Sequence, residues 1–397
     1  MVNQIKFKRV RYLVFLKDVF TLSITAFGGP QAHLALFLDK MVKKRGYTNK
    51  EGLIELYGLC QLLPGPTSTQ TITSLGFKLG GPRLAYLTLI VWVFPAVTIM
   101  TIGGLAINQL QKIGFSIDFL RFVQPMVIGI VAHSAYRISN SVVASRFGYF
   151  VMILSAFISC FVKNPFLFPF IILAGGCIAA FRYKRYPLQE SPTFRINWTN
   201  FVLWVIVIVI ASSLWKITGY LPFRLFDNFY RNGSMIFGGG QVLVPLLYTE
   251  FVEFKQYLTS EEFISGYAIV QSIPGPVFSF SAYIGTLSMN TEGLGNQILG
   301  GIFSAVGVFL PGTFFILLVV RFWDRLKSYR MVKASLEGIN AVSAGMVYAA
   351  VFLLFQSIEA TLLNCSLMIA TTLFLLFTKI PTPFVIGIGI FLGTVIN

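Results

Sequence analysis

Charge is scarce in this sequence. Asp, Glu, Lys and Arg make up 12% of its 397 residues, against about 25% in an ordinary soluble domain. Hydrophobic residues make up 55%, and a soluble fold of this length has no core large enough to bury them. Histidine and cysteine are rarer still. His33 and His133 are too few for a metal cluster, and Cys60, Cys160, Cys177 and Cys365 are scattered with no CxxC spacing. Neither a zinc site nor a dithiol motif is expected. Walker A, HExxH, GxSxG and dinucleotide sequences are all missing. An ATP-driven pump, an intramembrane hydrolase and a cofactor enzyme therefore have no motif behind them. The chain is expected to be no enzyme and to hold no cofactor or metal.

What it has instead is apolar length. Leu84–Ile107, Phe147–Phe161, Phe201–Leu214 and Ile298–Val320 carry no charge. Several reach or approach the ~20 residues that cross about 30 Å of hydrocarbon as a helix. Aromatics, at 15%, suit the membrane–water interface. The fold class expected is an all-α polytopic membrane protein. The formal charge of +16 comes from basic residues between the apolar runs, where cytoplasmic loops explain them without a nucleic-acid partner. Their field favours an anionic solute. The basic start, with Lys17 and Asp18 interrupting its apolar run, reads as a retained cytoplasmic segment and not a signal peptide.

The chain also repeats itself. FGGPQ at Phe27–Gln31 recurs as FGGGQ at Phe237–Gln241, 210 positions on. At the same offset Tyr47, Glu51, Tyr57 and Gln61 meet Tyr257, Glu261, Tyr267 and Gln271, and Pro64-Gly65-Pro66 meets Pro274-Gly275-Pro276. After a slip of six residues, Pro95 meets Pro311 and Gly129 meets Gly345. Loop charge reverses between partners. Asp39–Glu51 has five basic and two acidic residues, whereas Thr249–Glu261 has one basic and three acidic. Downstream, Arg321–Lys333 has five basic residues against Lys112, Arg121 and Asp118. Equivalent loops thus belong on opposite faces, and the repeats are of inverted topology. The expected organisation is a first repeat over 1–180, a cytoplasmic linker over 181–200, a connecting span over 201–220 and the second, inverted repeat over 221–397. Basic residues on both sides of each Gly/Pro segment in the first repeat predict re-entrant hairpins of two half-helices. The total is about nine spans and four hairpins.

The breaks are the candidate site. Proline removes a backbone N–H and glycine favours non-helical angles, so Gly28-Gly29-Pro30, Pro64-Gly65-Pro66, Gly238-Gly239-Gly240 and Pro274-Gly275-Pro276 should each end one helix and start another. Irregular backbone at membrane depth is tolerated only inside protein or beside water. Helices that start there present free N–H groups and about half a positive charge, which is an anion site without an arginine. Gln31, Gln61, Thr67, Gln70, Gln241 and Gln271 lie beside the breaks as candidate donors. The competing reading is that Gly and Pro only permit close helix packing. His33 and Glu55 are the titratable candidates for proton coupling, and His33 has a structural hydrogen bond as its alternative. Asp18 and Glu337 are expected to pair with neighbouring Lys17 and Lys333 or to snorkel.

FGGPQAH, LLPGPTSTQ, FGGGQVLVPLL and QSIPGPVFSFSAYIG resemble the paired signatures of the two-domain chromate transporter family. The resemblance runs from about Val10 to the last span. It implies a multi-pass protein of the cytoplasmic membrane that exports chromate by gradient-coupled antiport, with sulfate, a dianion of the same shape, competing. It places the substrate site at Phe27 to His33, Gln61 to Gln70, Phe237 to Pro245 and Gln271 to Pro276. The coupling ion expected is the proton, and the oligomeric state, a homodimer included, stays open. Two other functions share the architecture: an anion channel, and a lipid-phosphate scramblase whose mark is a lateral opening lined with basic residues.

Overall fold

The structure, a computed structural model, describes residues 10–113, 120–162, 164, 166–182, 198–237, 240, 242–321, 330–378 and 380–395. Every regular element among them is helical. The first half runs α1 (Tyr12–Ser23), α2 (Gly29–Phe37), a π-helical turn (Leu38–Lys44), α3 (Lys50–Leu62), α4 (Thr67–Lys112), α5 (Val123–Val142), α6 (Arg146–Phe161) and α7 (Leu167–Ala180). A connecting helix α8 (Thr199–Thr218) follows. The second half runs α9 (Leu221–Met235), α10 (Leu243–Tyr248), a second π-helical turn (Thr249–Phe254), α11 (Ser260–Ser272), a 3₁₀ turn (Val277–Ser279), α12 (Phe280–Leu287), α13 (Leu294–Val319), α14 (Arg330–Phe355), α15 (Leu362–Phe377) and α16 (Thr382–Val395).

Local chemistry sets these bounds, and it recurs. Asn49 caps α3 by accepting the Gly52 N–H at 2.9 Å. At the equivalent start of α11, Thr259 and Glu262 form a reciprocal capping box, with bonds of 3.1 and 2.7 Å. Ser145 caps α6 and Thr361 caps α15 through the N–H three residues on. Helices α3 and α11 begin and end 210 positions apart, and α6 and α15 begin and end 216 apart. The six extra residues fall between α12 and α13. The first half has no loop there and turns instead at Gly80 and Gly81, non-helical residues inside α4.

Four helices, α4, α8, α13 and the Ala334–Phe355 part of α14, are long and apolar enough to cross a membrane. The apolar helices α6, α7, α15 and α16 have only 14 to 16 residues, roughly 21–24 Å at 1.5 Å per residue. Helix length among the described residues therefore does not reach the nine full spans expected. Charge pattern marks where a segment leaves the bilayer, but it does not fix how many residues are helical.

The chain packs as two compact units, Met1–Ile102 with Phe194–Met235 and Ile273–Trp323, and Gly103–Thr193 with Ile236–Ser272 and Asp324–Asn397. Each unit draws on both halves of the sequence. In the first, α13 packs against α8, α9 and α12; in the second, α14 packs against α5, α6 and α7, and α5 against α15. Small residues let these backbones touch, as in membrane helix pairs. A Cβ on Gly129 of α5 would lie 2.6 Å from the Met368 carbonyl and 2.9 Å from Thr371. One on Gly345 of α14 would lie 2.2 Å from the Met152 carbonyl and 2.1 Å from Ser155. Met152 and Ser155 are the 216-offset partners of Met368 and Thr371, so the two contacts are the same contact with the halves exchanged.

Candidate functional site at the helix breaks

The helices stop where glycine and proline dictate. In the first break α1 ends at Ser23 and α2 begins at Gly29, with Gly28 and Gly29 at φ 90° and 77° and Pro30 in the first turn. In the second, α3 ends at Leu62 and α4 begins at Thr67, so Pro64, Gly65 and Pro66 are the non-helical link. In the fourth, α11 ends at Ser272 and the 3₁₀ turn begins at Val277, leaving Pro274, Gly275 and Pro276 as the link. Gly65 and Gly275 share the left-handed region, at φ 115° and 113°. Of the third break, Gly240 is described and buried, while Gly238, Gly239 and Gln241 lie outside the described residues, as does the Gln31 side chain.

Three of the four breaks belong to the first unit, and there they meet the opposite half of the sequence. A Cβ on Gly65 would lie 3.0 Å from the Gly312 Cα, one residue past Pro311 in α13. A Cβ on Gly275 would lie 2.8 Å from the Ala96 Cβ, one residue past Pro95 in α4. Gly312 and Ala96 are themselves repeat partners. Each Pro-Gly-Pro link thus presses on the proline-bearing stretch of the other half's long helix. The Gly275 N–H also donates to the Ala26 carbonyl at 2.8 Å, tying the fourth break to the first.

Polar side chains crowd the start of α4. Thr67, Ser68, Thr69 and Gln70 are each at most 5% exposed. Gln70, a candidate donor to substrate, has its amide protons directed to backbone carbonyls. Its amide nitrogen donates to the Pro64 carbonyl at 2.7 Å and to the Gly312 carbonyl at 2.9 Å. Both protons are thereby spent, and Oε1 finds no partner among the described residues. His33 is 1% exposed and sits edge-on to Trp92, whose Nε1–H donates to Thr69. Its Nε2 lies 3.0 Å from the Ala26 carbonyl, so Nε2 carries the proton and Nδ1 is left as a buried acceptor. Gln61 is exposed at the end of α3, one turn beyond Tyr57. Gln271 stands at the matching place in α11 and donates to Tyr267 at 2.6 Å. Glu55 is half-buried on α3.

The pairing expected of Asp18 is corrected too. Its carboxylate, 2% exposed, takes a forked bond from Arg45 at 2.7 and 2.8 Å, a bond from the Tyr47 hydroxyl at 2.7 Å, and Lys40 at 3.2 Å. Sequence neighbours favoured Lys17, but residues one apart on a helix point to different faces. The cluster staples α1 to the π-helical turn beyond α2. In the second half, Glu250 and Lys255 stand at the offset partners of Lys40 and Arg45 and pair with each other. Glu337 accepts a hydrogen bond from Ser145, and the side chain of Lys333 lies outside the described residues. The recurrence of Tyr47 as Tyr257 was the signal in the sequence that could have exposed this staple.

A family model described as chromate transporter matches residues 13–181 and again 223–394. The chain belongs to the chromate transporter family. It is 22% identical over 97% of its length to an uncharacterized transporter of Methanocaldococcus jannaschii, covering 93% of that protein. To the chromate transport protein of Cupriavidus metallidurans it is 24% identical over 94% of its length, covering 90% of that protein. An uncharacterized transporter of Bacillus subtilis is 28% identical over 41% of this chain, which is 82% of its own length. No solved structure matches.

Proposed function

We propose that this protein is a secondary transporter that exports chromate, with sulfate as a competitor, by proton-gradient-coupled alternating access across the cytoplasmic membrane. The observation that carries the reading is that three helix breaks belong to one compact unit, with each Pro-Gly-Pro link against the proline-bearing helix of the opposite half and the fourth break tied to the first. Contacts that repeat with the halves exchanged are what a two-fold relation between repeats produces. The division into repeats over 1–180 and 221–397 with a connecting span over 201–220 gains support from them and from a relative little longer than one half, and the inversion rests on the reversal of loop charge. The breaks are then re-entrant hairpins whose helix starts face the anion.

Flux in proteoliposomes tests the reading. Labelled chromate should accumulate under an imposed pH gradient, saturate, compete with sulfate, and stop when the gradient is dissipated. Unsaturable flux identifies a channel, and headgroup flipping without chromate flux identifies a scramblase. Gln61→Leu and Gln271→Leu remove donors without changing charge. A hydrogen bond to a charged group contributes about 1.5–3 kcal/mol, so each change should raise half-saturating chromate roughly ten- to a hundred-fold. Gln109→Leu, at the exposed end of α4, is the control; equal behaviour of all three moves the site away from these glutamines.

Topology has its own test. Single cysteines at Lys44 and Phe254 sit on partner turns of opposite loop charge and should label from opposite membrane faces. Labelling of both from the cytoplasm would exclude the inversion.

A further inference from the structure

The sequence suggested Gln70 as a ligand, yet its carboxamide is turned to other work. The nitrogen bridges two carbonyls 248 residues apart in sequence, Pro64 in the break and Gly312 in α13, at 2.7 and 2.9 Å. Beneath that bridge the backbones touch. A Cβ on Gly312 would lie 3.1 Å from the Gln70 nitrogen, 3.3 Å from the Gly65 Cα and 3.3 Å from the Pro64 carbonyl, so no solute fits between them. The remaining polar atom, Oε1, is an acceptor, and a dianion made only of acceptors has nothing to offer it. The counterpart of Gln70 in the second half is Phe280, buried and without a donor, and there the break is tied by Gly275 N–H to Ala26.

We propose that Gln70 is a positioning residue whose carboxamide clamps the first Pro-Gly-Pro break onto α13 and makes no contact with the transported anion. By holding the link, it keeps the first N–H groups of α4 aimed. The kinetic consequence rests on the transport reading; the clamp itself does not.

The experiment pairs hydrogen exchange with transport for Gln70→Met, Gly312→Ala and the double variant. Met keeps the length and removes both donors. Ala at 312 leaves Gln70 intact and pries the same contact from the other side. In the absence of substrate, Gln70→Met should speed exchange in both 63–72 and 308–316 by roughly ten-fold or more. In proteoliposomes its maximal chromate rate should fall roughly ten-fold, with half-saturating chromate within about two-fold of wild type. Gly312→Ala should act in the same direction, and the double variant should be no worse than the worse single. Faster exchange in Gln70→Met, together with a wild-type protein that moves no chromate, would sink the transport reading and leave the clamp standing. Half-saturating chromate raised ten-fold with exchange unchanged would make Gln70 a ligand and overturn the proposal. So would unchanged exchange and unchanged kinetics. If Gln70→Met yields no folded protein, Gly312→Ala alone decides: normal exchange at 63–72 overturns the clamp.

Discussion

Gly275→Ala is expected to leave little folded protein. The position holds φ at 113°, and a Cβ there would lie 2.8 Å from the Ala96 Cβ. A side chain in that backbone region costs about 1–3 kcal/mol, and forcing atoms into a packed contact costs about 1–3 kcal/mol more. The sum is a large part of the roughly 5–15 kcal/mol that holds a typical fold together. The two costs separate. Adding Ala96→Gly removes the opposing methyl and should restore the steric part while leaving the backbone part, so the double variant should melt between Gly275→Ala and wild type. Gly65→Ala should have no such full suppressor, because its Cβ would lie 3.0 Å from both the Gln70 amide nitrogen and the Gly312 Cα, and trimming Gln70 leaves the backbone contact in place. Thermal unfolding in detergent reads all four proteins. Gly275→Ala melting within about 2 °C of wild type would show that the link does not press on α4.

Asp18→Ala should be nearly as damaging. It removes the acceptor for Arg45, Lys40 and the Tyr47 hydroxyl at once. Breaking a buried ion pair from one side costs about 3–5 kcal/mol. The low end applies, since Arg45 and Lys40 are 42% and 26% exposed and recover water, while Tyr47, at 6%, does not. The effect should be non-additive with Arg45→Ala by roughly 1–3 kcal/mol, because both changes dismantle one staple. Lys17→Ala should stay within about 0.5 kcal/mol of wild type. A Lys17 effect equal to that of Asp18 would return the carboxylate to its sequence neighbour and free α1 from the turn beyond α2.

The helix breaks were legible because their cause is local. Proline lacks a donor and glycine tolerates positive φ wherever they stand, so Pro64-Gly65-Pro66 and Pro274-Gly275-Pro276 end helices without help from the rest of the chain. The offset of 210 was legible for a related reason: matching residues at a fixed spacing need no coordinates, and α3 and α11 begin and end at that spacing. Membrane character followed from composition alone. The π-helical turns at Leu38–Lys44 and Thr249–Phe254 left no such mark, since a one-residue widening of a helix depends on what the helix packs against.

Partners of buried polar groups belong to tertiary structure. Gln70 and Gly312 stand 242 positions apart, and whether an amide nitrogen meets a substrate or a carbonyl depends on which backbone folding brings to it. Asp18 chose Arg45 over Lys17 because helix geometry turns neighbours apart and the turn after α2 returns to α1. The grouping of helices was equally hidden. Sequence similarity divides the chain into consecutive halves, whereas packing draws each compact unit from both, bringing small residues such as Gly129 and Gly345 against the backbone of the other half. The residue types that make a break were thus written in the sequence, and what each break rests against was decided only when the two halves came together.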